Sequence, residues 1–175
     1  MKRICIAVAA VFLALDGVTL CSVLAQQQTS FTTEGEIHKP IHLPEEVVGL
    51  LLKHPDVSGT LEYDHLPLNK LPEDWYKAST VQFASVDKPS IIVVGQSPLA
   101  GAHAAYMWVY SRLGSKWTET LRANADRLTI QNHTTSGFRD IKTCYFTTST
   151  IYCGIFKFSG RTYHLVRKTE SKNGD

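Results

Sequence analysis

Three short stretches carry residue types that could do chemistry. Gly95-Gln96-Ser97-Pro98-Leu99 follows an apolar run, the position of a nucleophile elbow. Leu99 stands where the motif needs its last glycine, however, and Pro98 has no backbone N–H to offer an oxyanion, so the stretch reads as a strand ending in a Ser-Pro turn. His38 and His42 have the four-residue spacing that holds zinc on one face of a helix, with Glu45 and Glu46 close behind. Pro40 lies between them and breaks that helix, which leaves two linker histidines. The other five histidines, at 54, 65, 103, 133 and 164, are scattered singly. Cys144 and Cys153 are the third signal. In a hairpin turning at Thr148-Ser149 they fall opposite each other at a non-hydrogen-bonded position, where Cα atoms approach to about 4.5 Å and a disulfide fits.

The elements that must position these residues begin after an export signal. Lys2 and Arg3 precede an apolar run from Ile4 to Leu15, and Val23-Leu24-Ala25 offers a small-residue cleavage site, so residues 1–25 read as a signal peptide. The run is too short to cross a bilayer, which takes about 20 apolar residues. Leu20 before Cys21 argues against a lipoprotein anchor. Cleavage removes Cys5 and Cys21 and leaves Cys144 and Cys153 as an even pair in an oxidising compartment. It also removes Lys2, Arg3 and Asp16, lowering the formal charge from +2 to +1, a balance that gives no reason to expect nucleic acid. The mature chain has no transmembrane segment and implies no cofactor.

Residues 26–43 are polar and without period, and read as a flexible or extended lead-in. Pro44-Glu45-Glu46 opens a helix of about three turns ending at Lys53-His54. Pro55 to Asp74 reads as a loop with a short extended piece at Thr60–Tyr63, and LPEDWYKAS adds one helical turn. From Thr80 the runs VQFASV, SIIVVG, AAYMWVYS, WTETLR, RLTIQN, RDIKTCYFT, TIYCGIFKF and TYHLVRK, cut by turn residues, predict strands. The fold expected is α+β, mainly β: an N-terminal helix followed by an antiparallel meander of about seven or eight strands that folds over or curls toward a barrel. One domain spans 44–167, with a polar tail at 168–175. SIIVVG is apolar on both sides and therefore central, and Tyr106, Trp108 and Tyr110 share one face of their strand while Met107 and Val109 share the other.

Three resemblances follow from particular residues. Asn132-x-Thr134-x-Ser136-Gly137-x-x-Asp140 resembles the calcium loops of FG-GAP and VCBS-type repeats, with Asn, Thr and Ser in place of three carboxylates. That implies weak calcium binding through Asn132, Thr134, Ser136 and Asp140. The competing reading is a turn held by short polar side chains. Ser159-Gly160-Arg161-Thr162-Tyr163 resembles the S-G-x-x-Y loop of periplasmic lysozyme inhibitors, which implies that Ser159, Gly160 and Tyr163 enter a hydrolase cleft; it also reads as a plain hairpin turn. The order from LPEDWYKA through SGFRDIK to FKFSGRTY resembles a group of uncharacterised exported bacterial β-rich proteins, which implies a periplasmic or secreted location and no known activity.

No paired carboxylates and no spaced nucleophile and histidine stand out, so the residues favour a non-enzymatic binding or interaction module with a protein or glycan partner in the cell envelope. A lysozyme-type inhibitor and a small envelope enzyme are the alternatives. Trp75, Tyr76, Tyr106, Trp108, Tyr110 and Trp117 are the aromatic candidates for anchoring a partner, Trp108 and Tyr110 foremost, and core packing is their competing role.

Overall fold

A computed structural model of the chain describes residues 27–84 and 89–172; the signal peptide expected at 1–25 lies outside them. Among the described residues, nine strands form two antiparallel sheets. Four of them, β2 (Tyr76–Val81), β3 (Ser90–Gly95), β4 (Ala105–Leu113) and β5 (Lys116–Ala125), make one sheet in sequence order. The other holds β1 (Ser30–Thr32), β6 (Arg127–Thr135), β7 (Phe138–Phe146), β8 (Thr150–Phe158) and β9 (Tyr163–Lys172), ordered β1-β6-β7-β8-β9. The sheets fold over one another and do not close into a barrel.

Between β5 and β6 the chain changes sheets at a single residue, Asp126. Its N–H donates to the Cys144 carbonyl at 3.0 Å and its carboxylate accepts the Phe146 N–H at 2.7 Å, fixing the corner against β7.

Alternation decides the layers. Ile92, Val94, Met107, Val109 and Leu121 face the five-stranded sheet and pack on Phe31, Leu128, Ile130, Phe138, Ile141 and Phe158. Ile91, Val93, Trp108 and Tyr110 face the other way, against two helices, α1 (Glu45–Leu51) and α2 (Pro55–Tyr63). β3 is therefore buried along its whole length, as its unbroken apolar run predicts.

Several expectations need correction. The helix after Pro44 ends at Leu51, and the stretch beginning at Pro55 is a second helix rather than a loop. His54 is forced into the extended region (ψ 128°) by the proline that follows, and that same proline opens α2 at N1. Thr60–Tyr63 is helical because Val57 and Leu61, four apart, are both buried beneath it. The first long strand is Tyr76–Val81, upstream of VQFASV; its Ala78, Ser79 and Val81 are the buried positions. Residues from 27 in the lead-in are tied in. Ser30–Thr32 pairs with β6, and the Ile41 N–H donates to Ala78 at 3.0 Å beside a Pro40–Ser79 bridge. The start of the polar tail, Lys168–Lys172, is the end of β9.

Polar contacts fasten the helices to the sheet. The Asp56 carboxylate accepts from the Tyr106 hydroxyl and from Arg122 Nη1, each at 3.0 Å, and Glu46 accepts the Trp117 N–H at 3.0 Å. This places the helix layer over Trp108, whose ring meets His54 edge-on at 6.0 Å between centroids.

Candidate binding furrow

The hairpin β7–β8 turns where its sequence predicts. The Thr147 N–H donates to the Thr150 carbonyl at 2.8 Å, and Thr147 Oγ1 accepts the Thr150 N–H at 3.0 Å, so a side-chain hydroxyl supports a turn that lacks glycine or asparagine. Cys144 then stands opposite Cys153, Cα atoms 4.1 Å apart, and the two are bridged.

The next pair toward the turn is Tyr145 and Tyr152, which side-chain alternation sends to the opposite face. There the four-stranded sheet has ended, because β5 leaves it at Ala125. The two rings are 43% and 45% exposed. Phe156 and Leu165, paired across β8 and β9, continue the surface. Gly154 lies between Tyr152 and Phe156, where a Cβ would come within 2.8 Å of Leu165 Cδ1 and 3.0 Å of Phe156 Cε2. Any side chain there would push these groups off the strand. The result is a furrow of about 530 Å³, apolar along its floor, with Asn124, Lys168 and Glu170 on its rim. A second hollow of about 410 Å³, walled by the 98–104 segment, shares Asn124 and Tyr145 with it. The two hollows adjoin at Asn124 and Tyr145, at the corner between the sheets.

The residues singled out from sequence lie elsewhere. Trp108 and Tyr110 are fully buried under the helices, so they are core rather than a solvent-facing anchor. Burial pushes the Tyr110 phenol far above the ordinary tyrosine range, with the Glu119 carboxylate adding to it. Tyr163 is also core: its ring packs on Phe83 and Phe158, and its hydroxyl donates to the Arg139 carbonyl at 2.8 Å. Burial, then Asp140, raises its pKa, opposed by Arg139. Ser159 and Gly160 do form an exposed turn, with Gly160 at φ 95°, but the Ser159 hydroxyl is committed to the Thr162 carbonyl at 3.0 Å. The S-G-x-x-Y stretch thus divides between a turn and the core.

The calcium-like residues spread over a hairpin instead of circling a loop. Ser136 (φ 51°) and Gly137 (φ 78°) make its two-residue turn, Asn132 and Thr134 lie on β6, and Asp140 lies on β7. Asn132 Oδ1 accepts from Arg139 Nη2 at 3.0 Å and Asp140 Oδ2 is paired with His133 Nδ1 at 2.8 Å, so two nitrogen donors take the oxygens a cation would need. Among the described residues, no group of three or more His, Cys, Asp or Glu side chains is placed to hold a metal, and no helix is long and apolar enough to cross a membrane. His38 and His42 are exposed in the lead-in, and Ser97 is exposed in its turn.

No protein-family model, no curated protein and no solved structure matches this chain.

Proposed function

We propose that this protein is an exported, non-enzymatic binding module, and that the furrow beside the Cys144–Cys153 bridge seats an extended glycan chain. The observation that carries the reading is the Tyr145–Tyr152 pair, two half-exposed rings side by side where the furrow adjoins the hollow walled by the 98–104 segment. A tyrosine offers an apolar face and a polar tip, which suits a ligand with apolar ring faces and hydroxylated edges. Asn124, Lys168 and Glu170 supply hydrogen-bonding groups for those edges. Two adjoining hollows favour a chain over a compact small molecule. The bridged cysteines accord with an oxidising compartment.

The test is isothermal titration of the disulfide-intact protein against linear oligosaccharides of differing sugar and linkage, with proline-rich peptides as the protein arm. One glycan class is expected to bind saturably, and Tyr145→Ala and Tyr152→Ala each to weaken it at least tenfold, about 1.4 kcal/mol, while the melting temperature stays within about 2 °C. Binding only to peptides, or glycan binding that survives both substitutions, sinks the reading.

A further inference from the structure

The opposite face of the same sheet carries a second feature, independent of the furrow. A hollow of about 580 Å³ is lined by Gln131, His133, Asp140, Ile155, Lys157 and Arg167, drawn from four neighbouring strands. Counting outward from the Ser136-Gly137 turn, Thr134 pairs with Arg139, and the register then shifts before Ile130 meets Ile141, so His133 and Asp140 lie in an irregular stretch of the hairpin. Ile155 pairs with Arg167.

Asp140 is only 3% exposed although its strand faces solvent on this side. Its Oδ2 accepts from His133 Nδ1 at 2.8 Å, while the imidazole itself is 68% exposed. A buried carboxylate that holds one ring nitrogen fixes the ring's direction and leaves Nε2 to an outside partner. Among the described residues Asp140 Oδ1 is buried without a hydrogen-bond partner, so the carboxylate spends its one described bond on this histidine. Holding a charged group in such a place is costly, which makes the pairing a positioned feature and not an incidental surface contact. Lys157 and Arg167 join no ion pair among the described residues. The hollow thus gathers two uncommitted cations and an oriented imidazole around a single carboxylate that already has its partner.

We propose that this hollow binds a phosphate group carried by a larger molecule. His133, Lys157 and Arg167 stand on three different strands and line one hollow, so three separate side chains offer it donors. That arrangement suits a tetrahedral oxyanion better than a planar carboxylate, which is met by two parallel donors from one guanidinium. With Nδ1–H given to Asp140, His133 donates from Nε2 as the imidazolium, Arg167 presents its fork and Lys157 adds a point charge; no bond is made or broken. A lipid headgroup and a soluble phosphate ester offer the same chemistry.

The experiment follows the His133 ring signals by NMR in the disulfide-intact protein at constant ionic strength. The probes are inorganic phosphate, glycerol 3-phosphate, and phosphatidylcholine vesicles with and without phosphatidylglycerol. Saturable shifts are expected, with affinity at least tenfold weaker in Lys157→Gln/Arg167→Gln and in His133→Gln. Response to the soluble probes assigns the site to phosphate esters in general, and response to phosphatidylglycerol vesicles alone assigns it to a lipid surface. Absence of a saturable response to every probe overturns the proposal, as does unchanged affinity in the double variant. If the double variant is unfolded by circular dichroism, Lys157→Gln and Arg167→Gln taken singly carry the test. Either failure leaves the furrow on the other face untouched, since the two share no side chain.

Discussion

The two sheets treat aromatic residues in opposite ways. In the four-stranded sheet both faces are covered, and Trp108 and Tyr110 disappear beneath α1 and α2 even though the Trp108 Nε1–H finds no hydrogen-bond partner among the described residues. In the five-stranded sheet, β7, β8 and β9 run past the end of their cover, and Tyr145 and Tyr152 stand in solvent. Both pairs lie on long strands with sound alternation. What separates a core aromatic from a surface one is where the neighbouring layer stops, here at the Ala125–Asp126 corner. The covered sheet supplies stability, and the uncovered end is free to bind.

The largest expected effect tests the covered side. Trp108→Ala removes a fully buried indole from beneath the helices and should cost about 3–5 kcal/mol, the usual range for such a truncation. Tyr145→Ala should change stability by less than about 0.5 kcal/mol, as surface substitutions do. Urea denaturation of the two variants side by side measures the contrast. Similar losses in both would mean that the tyrosine ledge is packed as a core and that the comparison between the sheets fails.

A middle-sized effect belongs to the bridge. Cys144→Ala/Cys153→Ala opens a loop of nine residues' separation, and the chain-entropy account puts the loss at about 2.5–3 kcal/mol. A loss under about 1 kcal/mol would show that the uncovered hairpin keeps its shape through strand pairing alone. Denaturation under non-reducing conditions, beside the wild type with and without reductant, decides it.

Much of the covered sheet was legible because its signals are local. SIIVVG has no polar position to face water, and a period of two separates Trp108 from Met107 without any tertiary knowledge. The Cys144–Cys153 register was legible by counting outward from Thr148-Ser149. The helix at Pro55 was not, because only Val57 and Leu61 mark its buried side and the leucine-proline pairs around it imitate a loop. β1 was hidden for a similar reason: three residues with one buried side chain, Phe31, make too short a pattern to stand out from a polar lead-in. The furrow could not be read at all, since Tyr145 and Tyr152 alternate like core residues and only the end of the other sheet exposes them. The His133–Asp140 pair is the instructive miss. Ser136-Gly137 is a two-residue hairpin turn, but the outward count holds only as far as Thr134 and Arg139; the register shifts beyond them, so spacing alone does not bring His133 to Asp140.

The smallest effect at neutral pH probes the seam where the two regions meet. Tyr163 begins β9, the outermost strand of the uncovered sheet, yet its ring is in the core and its hydroxyl reaches back to the Arg139 carbonyl on β7. Tyr163→Phe keeps the packing and deletes that hydrogen bond, for an expected loss of about 1 kcal/mol at pH 7. The pH dependence distinguishes a buried phenol from one that merely touches the core. Burial raises the Tyr163 and Tyr110 pKa values in the folded protein, so below pH ~10 both folded and unfolded chains keep these protons and neither tyrosine makes stability depend on pH. Above pH ~10 the unfolded chain releases them and the folded chain does not, so stability falls by about 1.4 kcal/mol per pH unit for each buried phenol. Tyr163→Phe removes one of the two, and its alkaline slope should be shallower by that amount even though the variant starts out less stable. Denaturation curves from pH 8 to 11.5 measure both quantities. A wild type and variant that fall in parallel would mean that Tyr163 reaches solvent, and that the uncovered region extends one strand deeper than the packing of Phe83, Phe158 and Tyr163 indicates.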